Sequence, residues 1–327
     1  MKLLAFYLKT VFGCLVALIL FSFKCSSTVK SAGTAVPKGV SSFFTEKDFN
    51  SLFPQRDKFY TYQAFIQAVR ELGQIKLKVE KREVSIYRVT RTDKLTGRPV
   101  VVRQDEDWNE PWAQKRPYSF VNIDYGTFCS EKDLLTNKRE LAAFFANVAH
   151  ETRHGMNGKY DDGLMYTHEL NTNAVYISDN DAYPPVKGKN YYGRGPLQLS
   201  YNGNYGYASD CIFGDKTVLL NNPDLVATNA VVAFKAAIFF WMTPVTYKPS
   251  AHDVMVGNWK PKADDIAKNR RPGFGMTINI INGDIECNHG DVFGMTDRIG
   301  FYQHFLTMLG VSDPDCACSC SKTQPYN

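Results

Sequence analysis

The sequence predicts a mainly α-helical globular fold with one small β excursion, and three observations carry that expectation. Apolar residues recur at helical spacing over residues 45–72, a strong amphipathic helix covers about 131–152, and strand-like alternation is confined to about 75–102. With 327 residues, 44% apolar and 22% charged, the chain can bury one large core or two smaller ones. It contains no internal repeat and no low-complexity tract.

The elements follow in order. Met1-Lys2, an apolar run over 11–23 broken only by Gly13 and Ser22, and then Lys24-Cys25-Ser26-Ser27 read as a signal peptide over residues 1–27. The run falls short of the ~20 apolar residues of a spanning helix. The expected chain is therefore secreted and extracellular, with no membrane association once the signal is removed. The net charge of +5 includes Lys2, Lys9 and Lys24, which leaves the mature chain too mildly basic to argue for nucleic acid. Residues 28–44, rich in Ser, Thr, Val and Gly, read as a linker or loose arm.

Phe49, Leu52 and Phe53, then Phe59, Tyr62, Phe65, Ile66, Val69 and Leu72, place one or two amphipathic helices over 45–72. Val, Ile, Tyr and Thr then alternate with Lys, Arg and Glu, with a Thr-Gly-Arg-Pro turn near residue 97, as in a small β excursion. In the helix over 131–152, Leu141, Phe144, Phe145 and Val148 form one stripe that Glu151 continues. Residues 157–193 are rich in Tyr, Asn, Asp and Gly without a period, which suits a functional loop region over a cleft. Two further helices cover 230–242, stopped by Pro244, and 297–309, capped by Thr296 and closed by Gly310.

Cys129, Cys211, Cys287, Cys316, Cys318 and Cys320 remain after the signal segment, an even number that suits disulfides in an oxidising compartment. The pairing is open from sequence. The Cys316-Ala-Cys-Ser-Cys320 string, within a Cys-rich tail over 313–327, reads as a tail stapled back onto the body rather than a metal site.

Two chemistries compete at the end of the third helix. His150-Glu151-Thr152-Arg153-His154 is an HExxH string, in which two histidines one turn apart would hold zinc and the Glu would activate water. Gly155 opposes that reading because it tends to end the helix. The other chemistry is acid and base work on a glycosidic bond. Glu151, continuing an apolar stripe, is expected to be partly desolvated and so to favour its proton-donating form, whereas Glu169, after Tyr166-Thr167-His168 in the polar loop, would stay ionised. Spacing alone leaves both as ordinary surface carboxylates.

Longer strings decide between these. Phe59-Tyr-Thr-Tyr-Gln-Ala-Phe, Glu140-Leu-Ala-Ala-Phe-Phe-Ala-Asn-Val-Ala-His-Glu-Thr, Tyr191-Tyr-Gly-Arg-Gly-Pro-Leu-Gln-Leu-Ser200, Asn222-Pro-Asp-Leu-Val-Ala-Thr, Asn279-Ile-Ile-Asn-Gly and Asp297-Arg-Ile-Gly-Phe-Tyr302 resemble the glycoside hydrolase family 19 chitinases over about 45–312. The resemblance implies a lysozyme-like, two-lobed helical domain with a central substrate cleft and a small β insertion at about 76–135. It also implies an inverting endo-chitinase that acts without metal or cofactor on chitin or chito-oligosaccharides, as a monomer.

By the same resemblance Glu151 is the general acid, Glu169 the general base, and Ser200 helps hold the attacking water. His150, Tyr192, Gln198 and Asn204 contact substrate, and Asn282, Glu286 and Arg298 line the cleft near the base. Where the family has small residues and two glycines after its His-Glu-Thr, this chain has Arg153-His154-Gly155, which is expected to put a cation near Glu151. The remaining alternatives are a catalytically silent glycan-binding relative, a peptidoglycan hydrolase and the HExxH zinc peptidase.

Overall fold

A computed structural model describes residues 39–83, 85–155, 159–245 and 247–326. The signal peptide reading, and the linker reading up to residue 38, lie outside the described residues. The end of the expected loose arm does not behave as one. Val40 and Phe44 are buried, and the Phe44 ring packs on Phe49, Tyr62, Phe65 and Phe145.

Helix α1, Glu46–Leu52, begins with a capping box in which Thr45 and Asp48 satisfy each other's backbone N–H groups. Helix α2, Tyr62–Leu72, is capped by the Thr61 hydroxyl. The β excursion is larger than the alternation suggested. Strands β1 (Ile75–Arg82), β2 (Ile86–Asp93), β3 (Pro99–Gln104) and β4 (Tyr118–Asp124) form an antiparallel sheet in the order β3-β2-β1-β4. A short helix α3, Pro111–Gln114, precedes β4. Ile75, Leu77, Val89 and Ile123 join one end of a sheet face to the main core. Trp108, Ile86 and Ala113 form a small separate cluster on the other face, under the Arg82 and Arg88 guanidiniums. Beside that cluster, on the same face, Glu80 is buried among Arg88, Lys78 and the Tyr118 hydroxyl, which together hold its carboxyl down to about 2.

Helix α4, Leu134–Thr152, runs through the core. Its N-cap is Asp133, whose carboxylate accepts from Leu135 and Thr136 N–H, and its first residue, Leu134, falls three residues after the expected start. After a long irregular stretch come α5 (Asn202–Phe213), α6 (Thr217–Asn221), α7 (Leu225–Thr228), α8 (Ala230–Met242), α9 (Ala251–Met255), α10 (Ala263–Ala267), α11 (Phe274–Glu286) and α12 (Phe293–Met308). Helix α8 has the bounds expected. Helix α12 starts a turn earlier than expected, and the Thr296 hydroxyl bonds back to the Val292 carbonyl instead of capping. The fold is thus mainly α with a small β insertion, in the lysozyme-like class.

The tail is stapled as expected, through Cys287–Cys320, and Cys316 pairs with Cys318. Its backbone runs over the start of α11, where Phe274 N–H donates to the Cys316 carbonyl at 2.9 Å. Gly273 permits this: its φ is +139°, and a Cβ there would lie 2.1 Å from the Cys316 oxygen. The expectation that all six cysteines pair is corrected. Cys129 and Cys211 are unbridged thiols inside the core, and burial pushes both well above the usual thiol range. No described helix is long and apolar enough to cross a membrane.

Candidate active site

Glu151 occupies the last turn of α4, and α12 packs along that helix. From α12, Arg298 reaches Glu151 with a fully buried side chain that has four acceptors. Its Nε and Nη2 donate to the two Glu286 oxygens at 2.9 and 2.8 Å, its Nη1 donates to Asn147 Oδ1 at 3.2 Å, and Nη2 also donates to Glu151 Oε1. Glu151 keeps about a fifth of its side chain exposed, so it is the member of this cluster that faces outward. Asn282 donates to Glu286 Oε1 at 2.7 Å from a non-helical turn inside α11, φ −142° and ψ 37°. Burial alone would push Glu286 up, but the bond and charge of Arg298, aided by Asn282 and His150, outweigh it and hold the carboxyl below its usual range. Burial likewise opposes the charge on Arg298, and the Glu151 and Glu286 carboxylates more than restore it.

This geometry corrects one expectation. Asn282, Glu286 and Arg298 gather around Glu151, not around Glu169, because α11 and α12 pack against α4 while Glu169 lies on the loop. The expected apolar setting of Glu151 is likewise replaced by a charged partner.

The Arg153 expectation is also corrected. Arg153 is nearly buried, paired with Asp162 at 3.0 Å and with Asp297, and its guanidinium lies over the Phe301 ring. Two carboxylates absorb its charge. Asp297 also accepts from His150 Nδ1 at 2.7 Å, so one aspartate orients His150 and Arg153 on either side of Glu151. The HExxH string loses its helical face here. Helix α4 ends at Thr152, and Arg153 is extended at φ −76° and ψ 154°. His154 therefore does not follow His150 one turn on, and its Nδ1 is bonded to the Tyr166 hydroxyl at 2.5 Å.

The loop that carries Glu169 is stitched to the same helix end. Thr152 accepts from Leu164 N–H on its hydroxyl and from Met165 and Tyr166 N–H on its carbonyl. Glu169 lies three positions beyond Tyr166, at most ~11 Å of chain. Glu169 then pairs with Gly193 twice, N–H to carbonyl at 2.9 Å and carboxylate to N–H at 3.0 Å. A Cβ on Gly193 would sit 3.0 Å from Glu169 Oε2 and 2.8 Å from Gln198 Oε1, so glycine lets the three residues close up.

Gln198 and Ser200 follow in one tight turn, and Asn204 in the first turn of α5. Ser200 Oγ donates to the Gln198 carbonyl, and Asn204 Nδ2 donates to the Ser200 carbonyl, both at 2.8 Å. Arg194 fixes this turn from beneath. It is buried, bonded to Asp224, the Asn190 and Tyr192 carbonyls and the Tyr205 hydroxyl, and stacked 3.6 Å from the Tyr192 ring centroid. Tyr191 is buried too, donating to the Leu220 carbonyl, so its part is structural.

Two residues beside the carboxylates were not foreseen. Asp297 was only part of a quoted string, and its link to His150 and Arg153 has no spacing signature. Tyr176 lies next to Glu169; burial and then that carboxylate push its hydroxyl up. It is one tyrosine among several in an aperiodic loop, and nothing in the sequence distinguishes it.

The fold is mainly helical and lysozyme-like, with one carboxylate at a helix end and a second on the loop bonded to that end, and paired carboxylates are the usual equipment of glycoside hydrolases. The chain belongs to the family described as chitinase class I, glycoside hydrolase family 19, whose sequence model matches residues 117–320. It is 48% identical over 204 residues to an endochitinase 3 of Nicotiana tabacum, covering 61% of this chain and 60% of that protein. It is also 48% identical over 199 residues to a protein of Hevea brasiliensis named inactive chitinase-like protein 1, covering 59% and 62%. The chain thus spans about 60% of the length of these curated relatives. Among solved structures, chitinase C of Streptomyces griseus aligns with a TM-score of 0.56 at 29% identity, covering 85% of this chain and 97% of that one. A class IV chitinase of Zea mays aligns at 0.53 and 27% identity, covering 84% and 97%. Strands β1–β3 lie outside the residues that the family model matches.

Proposed function

We propose that the chain is a secreted endo-chitinase that hydrolyses β-1,4 N-acetylglucosamine linkages with inversion, residues 45–312 forming its catalytic domain. The observation that carries this reading is the joining of two carboxylates, Glu151 and Glu169, through the Thr152 bonds to the loop over 164–166. Arg298 holds Glu151 by Oε1, which leaves Oε2 to present a proton to the glycosidic oxygen. Glu169 acts as base on a water that Ser200 helps hold, and that water attacks the opposite face of the sugar. Inverting pairs sit ~6.5–9.5 Å apart to make room for it. His150, Tyr192, Gln198 and Asn204 line the substrate, while Asn282 and Glu286 act through Arg298. The substrate is a neutral polymer, the enzyme works as a monomer, and no step calls for a metal.

Proton NMR of an N-acetylglucosamine hexamer during digestion tests the reaction. The expected first products carry the α configuration. Initial β products would mean a retaining enzyme, and binding without cleavage would place the chain with silent relatives such as the Hevea protein is named.

The close fit at Gly193 gives a second expectation. Gly193→Ala pushes Glu169 and Gln198 apart by a few tenths of an ångström or more, so kcat falls roughly ten- to hundredfold with folding retained. Steady-state kinetics beside a thermal melt check this, and an unchanged kcat would remove Glu169 from the chemistry.

A further inference from the structure

A groove of about 800 Å³ lies between the inserted sheet, the loop over 180–183 and the end of α5. Its size falls in the ~300–1,000 Å³ range of small-ligand sites. Seven carboxylates and two cations line it. The two cations offset only part of that charge: Arg103 is paired with Asp105 at 2.9 Å, and Lys216, with its Nζ on the Ala182 carbonyl at 2.9 Å, acts on Asp210. Glu106, Asp107 and Asp181 are exposed on its walls, without a counter-charge among the described residues.

A second observation lies deeper. Tyr183 is 2% exposed, and its hydroxyl meets no partner at hydrogen-bonding geometry, although the equally buried Asp210 carboxylate stands beside it. Burial pushes Asp210 up to about 6. Asp210 is the acceptor that this hydroxyl faces, and the poor geometry between the two leaves the hydroxyl able to take a further partner. Trp112, 47% exposed, adds a ring face at the rim. The groove also communicates with the catalytic turn. Asn202, two residues from both Ser200 and Asn204, donates to the Ser178 and Tyr183 carbonyls at 2.9 and 2.8 Å and so clamps the loop that forms one wall.

We propose that this groove is an accessory glycan site for partly deacetylated chitin, whose glucosamine units enter as ammonium-bearing sugars. The inference rests on the chitinase reading, which supplies the polymer, and the charge of the groove supplies the choice of form. Fully acetylated chitin is neutral and brings no charge to the three unpaired carboxylates, whereas a glucosamine unit brings them a cation. The ring of Trp112 offers an apolar plane to the sugar face. The inserted sheet would then hold a modified stretch of the polymer while an acetylated stretch occupies the cleft.

Calorimetric titration of a glucosamine hexamer at low salt into the full chain tests this. Binding is expected, weakened by added salt. The double variant Glu106→Gln/Asp107→Asn should weaken it about tenfold, and Trp112→Ala should weaken it as well. Both variants should hydrolyse the acetylated hexamer at the wild-type rate, which also shows that they fold. No binding by the wild type, or unchanged affinity in the variants, overturns the accessory site. Failure of the wild type to cleave the acetylated hexamer would sink the chitinase reading instead, and that result is read on a separate assay.

Discussion

Glu151→Gln lowers hydrolysis of the acetylated hexamer by about 10²–10⁴-fold while leaving its binding in place. The amide keeps an oxygen to accept from Arg298 Nη2, so the cluster of Arg298, Glu286 and Asn147 stays assembled. What is lost is the proton. Glu169→Gln should cost a similar factor, because an amide cannot take a proton from water, and its nitrogen in place of Oε2 would meet the Gly193 N–H donor to donor. A substrate with a good leaving group separates the two roles. Such a group departs without protonation, so it restores much of the rate in Glu151→Gln and none in Glu169→Gln. Restoration in the second variant only would exchange the two assignments, and full activity of Glu151→Gln on the natural substrate would end the proposal.

The parts of the fold with a strong local period were legible in advance. Helix α8 runs from Asn229, whose side chain caps it, to the turn before Pro244, and both signals are local. Helix α4 was legible for the same reason, apart from three residues at its start. The inserted sheet was read only to residue 102, because β4 alternates poorly: all of Tyr118 to Asn122 is exposed at the sheet edge. Burial that depends on distant partners was illegible. Phe44 sits in a stretch that reads as linker, and it becomes core by packing on Phe49 nearby and on Tyr62, Phe65 and Phe145 further along the chain. The site divides along the same line. Glu151, Glu169, Gln198 and Ser200 lie in strings that resemble the family, but their surroundings depend on helix packing. The pairing of Arg153 with Asp297, and of Arg298 with Glu151, follows from how α12 lies on α4, and that of Arg153 with Asp162 from the return of the loop, so the charge of Arg153 can be counted from sequence but not located.

The packing of α12 on α4 makes Arg298 the residue whose loss should cost most in stability. Arg298→Met removes a fully buried cation and leaves Glu286, itself 3% exposed, with Asn282 as its remaining bond among those described. Breaking a buried pair from one side costs about 3–5 kcal/mol, since the orphaned charge stays out of water. Urea unfolding at pH 7 measures this. Adding Glu286→Leu to Arg298→Met should recover much of the loss, because an apolar pair needs no counter-charge. The acid limb gives an independent reading. Glu286 has a folded-state pKa below its unfolded value, so its stabilisation is complete above the usual carboxylate range and disappears as pH falls through the depressed value. Arg298→Met, which removes the cause of that depression, should therefore be most damaging near neutral pH and lose much of its effect in acid. A stability deficit that stays constant with pH would show that Arg298 serves packing alone. The double variant should remain inactive even where its stability returns, because Glu151 has then lost the donor that fixes Oε1.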